Sequence, residues 1–140
     1  MYDSSTKEKE KIGLHDCRTD HMHYENGFLT VKFPGGFYYL DRPEPLRTGP
    51  AEMRCHIIDR DLDFYVFKDT KHGTVREDRS DTFCDDISSG VFEFECVTTY
   101  YAYRRMLIKG YVCLRKAPYF EECEIGLSFD DITFMWNENR

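Results

Sequence analysis

A chain of 140 residues is one domain's worth and buries roughly two-thirds of its unfolded surface, so size demands no metal or disulfide staple. Val, Ile, Thr, Phe, Tyr and Trp number 45 against 11 for Leu plus Ala, and no apolar run nears the ~18 residues of a transmembrane helix, which excludes bundles, coiled coils and helical spans. The net charge of −7 has the wrong sign for a protein that neutralises phosphates, so neither nucleic acid nor a membrane is an expected partner.

Residues 1–12, with alternating Lys and Glu, read as a flexible charged tail ahead of a single β domain over 13–140. That charged opening cannot serve as a signal-peptide core, and a cytoplasmic location is expected. Residues 16–24 and 28–33 alternate around Asn26-Gly27, a two-residue hairpin turn. The implied register pairs Tyr24 with Leu29, Met22 with Val31 and Asp20 with Phe33 on a core face, and His23 with Thr30 and His21 with Lys32 on the solvent face. After Pro34-Gly35-Gly36 comes a short run, 37–40, then a proline-punctuated loop to Pro50.

Residues 52–58 and 62–67 read as two strands separated by Asp59-Arg60-Asp61, and residues 69–90, polar and with few apolar positions, as a long mobile loop. The longest hairpin spans 91–101 and 103–116. Its outward acids (Glu93, Glu95) and bases (Arg105, Lys109, Arg115) predict cross-strand ion pairs. Strands over 119–129 and 131–136 follow. The pattern predicts an all-β domain of about nine strands with little or no helix, an antiparallel sandwich or partly closed barrel.

Few residues point to chemistry. His21 and His23 share a strand face, but Lys32 lies opposite and no third ligand is placed, so no metal or other cofactor is expected. The six cysteines are scattered without C-x-x-C spacing and read as reduced, buried apolar residues. No G-x-S-x-G, G-x-G-x-x-G or Walker sequence occurs, so the chain is not expected to be an enzyme. Two surfaces suit protein binding: the hairpin tip with Tyr100, Tyr101, Tyr103 and Arg104, residue types that anchor interfaces, and the acidic C-terminal strands with Glu122, Glu124, Asp130 and Asp131. From residue 117 onwards there are six acids and one base. Strict alternation also puts Asp16, Arg18 and Asp20 on the core face, which requires either a bulge or a charged cluster whose members pair or face a ligand.

The opening Leu14-His15-Asp16-Cys17-Arg18, with the Asn26-Gly27 turn and the run from Phe28 through Phe37, resembles a group of small, uncharacterised β-rich bacterial proteins that open with Leu-His-Asp-small-Arg. The likeness covers about residues 13–40. It implies a bacterial setting in which some similar proteins are immunity partners of polymorphic toxins, and it brings no catalytic residues. The resulting expectation is a non-enzymatic protein-binding module for a basic partner, of the immunity kind that the resemblance implies. The competing reading is a lipocalin-like barrel whose inward aromatics line a ligand cavity. Unpaired edge strands would also admit a homodimer.

Overall fold

The structure, a computed structural model, describes residues 1–139. Its strands are β1 (Ser4–Thr6), β2 (Ile12–Gly13), β3 (Cys17–Thr19), β4 (His21–Glu25), β5 (Phe28–Phe33), β6 (Tyr38–Tyr39), β7 (Ala51–Thr70), β8 (Gly73–Asp78), β9 (Glu93–Ala102), β10 (Arg105–Cys113) and β11 (Phe120–Trp136). Nine of them make one antiparallel sheet in the order β3-β9-β10-β11-β7-β5-β4, with β1 beside the end of β11 and β8 beside the second half of β7. β2 and β6 pair separately. The sheet curls into a half-barrel around its apolar face, which bears out the all-β class and, of the two expected forms, is the partly closed barrel. No helix among the described residues is long and apolar enough to cross a membrane.

The Asn26-Gly27 hairpin has the predicted register from His21↔Lys32 to Tyr24↔Leu29, but the further expected pair of Asp20 with Phe33 does not form, because β4 starts only at His21 after the corner at Thr19. Positive φ at both turn residues, 54° and 81°, is what that turn requires. Met22, Leu29, Val31 and Phe33 are buried, whereas Tyr24 and Asp20 are exposed.

Two expected turns are bulges. Residues 51–70 form one continuous strand, because Asp59 and Arg60 adopt φ of 53° and 57° and bend the chain without reversing it. Opposite them β11 is also continuous, with register shifts between Leu127 and Phe129 and between Phe129 and Asp131. The two irregularities face each other, so the longest strand pair bends as a unit and curls the sheet.

Residues 69–90 are not a long loop. They hold β8 and a short helix, α1 (Phe83–Ser88), whose buried Phe83 and Ile87, four residues apart, share one face. Ser88 covers the outer edge of β4: its hydroxyl accepts from the Met22 amide at 3.2 Å and donates to the Met22 carbonyl at 2.7 Å. The opening segment, expected to be a free tail, is docked. β1 pairs Ser4–Thr6 with Trp136–Phe134, and Ile12 is buried.

Two aromatic groups fill the interior. Phe64 stacks on Phe83 at 4.7 Å and meets Phe92 and Phe94 at 6.1 and 6.0 Å. Phe37 contacts Phe33, Phe134 and Trp136 at 5.8–6.0 Å between ring centroids. Each such pair contributes about 0.5–1.5 kcal/mol beyond area burial.

Between Cys96 and Thr98, β9 carries an extra residue, Val97, where its register with β10 shifts at Lys109/Gly110. Gly110 permits this close approach, since a Cβ there would lie 1.9 Å from the Glu95 carbonyl oxygen. The shift sets Glu95 opposite Tyr111 and Glu93 opposite Cys113, so the expected ion pairs between β9 and β10 do not form. Both acids instead meet Arg18 of β3, at 3.3 and 3.2 Å.

Candidate functional site

The tyrosine-rich segment lies at the β9–β10 turn as expected, but its members diverge. Tyr103 is 86% exposed, with the Arg104 guanidinium 5.2 Å over its ring. Tyr100, 54% exposed, lies on the outer face opposite Leu107. Tyr101 has the opposite phase and is half-buried against the inner side, with the Lys9 ammonium 5.6 Å over its ring. Burial pushes its hydroxyl pKa up, with smaller contributions from Cys55, Cys96 and Glu10. Tyr101 therefore does not belong to an exposed tip.

The four acids of the C-terminal strand also separate. Asp130 accepts a hydrogen bond from His56 Nδ1 at 2.7 Å, and Asp131 meets Lys7 Nζ at 2.6 Å. Both are already met by the chain's own basic side chains. Their position is nonetheless close to the tip, since the Phe129 amide donates to the Arg104 carbonyl at 2.9 Å.

Glu122 and Glu124 differ from them. They share the outer face two residues apart on β11, with Glu122 in register with Tyr111 and Phe67, and Glu124 in register with Lys109 and Tyr65. Among the described residues no basic side chain comes within ion-pair distance of either, Lys109 included. They line an open groove of about 360 Å³ with Phe67, Val97, Lys109 and Tyr111. At its end Tyr111 meets Phe120 edge-on at 6.4 Å, and Phe120 is 56% exposed. On the β7 side the Arg76 guanidinium covers the Tyr65 ring at 4.3 Å. Two unpaired carboxylates flanked by exposed aromatic surface can hold an ammonium or guanidinium group and the methylene stem that carries it.

Charge singles out Glu122 and Glu124 in the sequence, whereas Phe67, Tyr111, Phe120 and Val97 carry none. Their signal was aromatic or β-branched residues at outward strand positions, where the pattern otherwise places polar ones.

The charged cluster resolves at a corner. Asp16 takes φ of 58°, β3 pairs with β9 and β4 with β5, and the alternation changes phase between them. Cys17 and Thr19 point inward while Asp16, Arg18 and Asp20 are exposed. Thr19 fixes the corner: its hydroxyl donates to the His21 carbonyl at 3.0 Å and accepts from the His21 amide at 3.2 Å. Arg18 is held by Glu93 and Glu95, so the three residues do not converge on a ligand.

His23 hydrogen-bonds Glu25 at 2.8 Å, and His21 stays opposite Lys32. No cluster of three or more His, Cys, Asp or Glu side chains able to hold a metal occurs among the described residues. All six cysteines are free. Burial pushes the Cys17, Cys55 and Cys84 thiols up to about 12, so none of these is a thiolate near neutral pH.

No protein-family model, no curated protein and no solved structure matches the chain.

Proposed function

We propose that the protein is a binding module, without catalysis of its own, that presents the Glu122–Glu124 groove to a basic protein partner. The observation that carries this reading is the pair of unpaired carboxylates, two residues apart on one strand face, lining a groove beside exposed Tyr111 and Phe120, whereas Asp130 and Asp131 on the same strand are met by His56 and Lys7. The net charge of −7 favours encounter with a positive partner over long range, and the aromatic rim supplies the short-range contact. A toxin held by its immunity protein is one such complex and accords with the resemblance of residues 13–40. A cytoplasmic setting, where scattered thiols stay reduced, is part of the same reading. The packing of the inward aromatics on one another, as in Phe64 on Phe83, argues for a filled core over an aromatic-lined ligand cavity.

The test compares capture from host lysate by the wild type, by Glu122→Lys/Glu124→Lys, and by Asp130→Asn/Asp131→Asn. The expected result is one stoichiometric basic protein, released at high salt, lost by the first variant and kept by the second. Equal recovery by the wild type and the Glu122→Lys/Glu124→Lys variant refutes the groove as the binding surface.

A further inference from the structure

One stretch of sheet edge is left open. The β9–β10 turn consists of Tyr103 and Arg104, with Ala102 paired to Arg105 across it. In a two-residue turn the flanking pair is hydrogen-bonded, and alternation makes Tyr100–Leu107 and Thr98–Lys109 hydrogen-bonded as well. Thr99 and Tyr101 therefore direct their N–H and C=O groups away from β10. The Phe129-to-Arg104 bond on the far side of β10 has the phase this alternation requires.

On the outer side of β9, β3 reaches only as far as Cys96, where Cys17 is the register partner and the Asp16 amide donates to the Cys96 carbonyl at 2.8 Å. Among the described residues no hydrogen bond outside the β9–β10 ladder involves the backbone of residues 97–101.

Two other edges are managed. Ser88 covers β4, and β8 carries Arg76, Glu77 and Asp78 along an exposed edge. Val97-Thr98-Thr99-Tyr100-Tyr101 carries no charge and consists entirely of residues that favour strands.

Beyond this edge is a recess of about 500 Å³ whose lining includes Ile12, Leu14, Leu40, Thr99 and Tyr101. That volume falls within the ~300–1,000 Å³ range of ligand pockets. Lys9, Glu10 and His15 also border the recess, with Lys9 over the Tyr101 ring, so its rim is polar and its remaining lining mainly apolar. Val97 and Thr98 line both this recess and the Glu122–Glu124 groove, which makes the two surfaces continuous around β9.

We infer that the basic partner binds by adding an extended strand to β9. Thr99 and Tyr101 supply the backbone hydrogen bonds, apolar side chains at alternate positions enter the recess, and the partner's basic residues lie over the groove. The partner's basic character rests on the function proposed above; the added strand rests on the edge geometry.

A capped Lys-Val-Lys-Val-Lys-Val-Lys peptide, its alternately N-methylated analogue and residue-resolved amide exchange on the full chain test the two separately. In the free protein the Thr99 and Tyr101 amides should exchange fast while those of Thr98 and Tyr100 are protected. The peptide should protect Thr99 and Tyr101, and N-methylation should weaken binding at least about tenfold, the equivalent of one to two net hydrogen bonds. At about 10 mM salt, where charges act over ~30 Å, Glu122→Lys/Glu124→Lys should weaken it as well, although β9 and β10 stand between the added strand and β11. Binding that leaves both amides unprotected and ignores N-methylation overturns the added strand and leaves the groove standing. Protection that ignores the charge reversal upholds the strand and overturns the groove. No binding at millimolar peptide overturns the proposal, as does self-association that protects the same amides without peptide, since the occupant is then a second copy.

Discussion

Gly110→Ala probes the feature that shapes both binding surfaces, the bulge that brings β9 against β10. The new Cβ would sit 1.9 Å from the Glu95 carbonyl oxygen and 3.2 Å from the Phe94 ring. Backbone must therefore move by about an ångström, or the bulge must open, because no side-chain rotation relieves a clash with a carbonyl. Overpacking of this kind costs typically 1–3 kcal/mol and occasionally more, and a contact this short against backbone belongs at the upper end, at about 3 kcal/mol. For a chain of this length that lowers Tm by roughly 10 °C. Gly126→Ala is the matched control, since its Cβ would meet only the end of the Arg105 side chain, at 3.1 Å. Alanine also favours the strand backbone over glycine, so that variant should stay within about 1 kcal/mol of the parent. Urea denaturation of both, with amide exchange at Val97–Tyr101, checks the argument. Gly110→Ala as stable as Gly126→Ala would refute the close approach at the bulge.

Phe64→Ala removes the ring on which Phe83 stacks and should cost about 3–5 kcal/mol, with α1 amides losing protection first, as denaturation with residue-resolved exchange will report. Ser88→Ala deletes both hydrogen bonds that cover β4 and leaves the Met22 amide and carbonyl without them; a loss of about 1–3 kcal/mol and faster exchange at Met22 are expected. Glu138 accepts hydrogen bonds from Tyr39, Ser4 and Trp136, which hold its carboxyl below the usual range, the Tyr39 bond contributing most. A depressed folded-state pKa gives stability that is complete above the unfolded value of about 4.3 and is lost as pH falls through the folded one. Glu138→Gln should therefore be less stable than the wild type at neutral pH, with the gap closing in acid, as paired pH-dependent melts will show.

Local signals were legible in the sequence where the interaction itself is local. Asn26-Gly27 dictates a two-residue turn, and the turn dictates the β4–β5 register as far as His21↔Lys32, beyond which the corner at Thr19 takes the chain away from Phe33. The bulges were not legible, because Asp59-Arg60 and Asp130-Asp131 carry the same chemistry as turns. Only pairing of β7 with β11, some seventy residues apart, decides that the chain bends there and continues. Helix α1 spans six residues, too few for periodicity to emerge, although Phe83 and Ile87 were spaced for it. At the site, charge singled out four acids equally. What separates Glu122 and Glu124 from Asp130 and Asp131 is that His56 and Lys7, 74 and 124 residues away, reach the latter pair. The phase change between Tyr100 and Tyr101 follows from strand alternation, and the Val97 bulge that positions their edge depends on Gly110, whose role becomes visible only when β9 lies against it.

Carboxyl labelling with a carbodiimide and an amine, read residue by residue in the free protein and in the captured complex, tests the central claim most directly. The account predicts that Glu122 and Glu124 label readily when free and are protected in the complex, while Asp130 and Asp131 label alike in both. Equal labelling of Glu122 and Glu124 with and without the partner would contradict it.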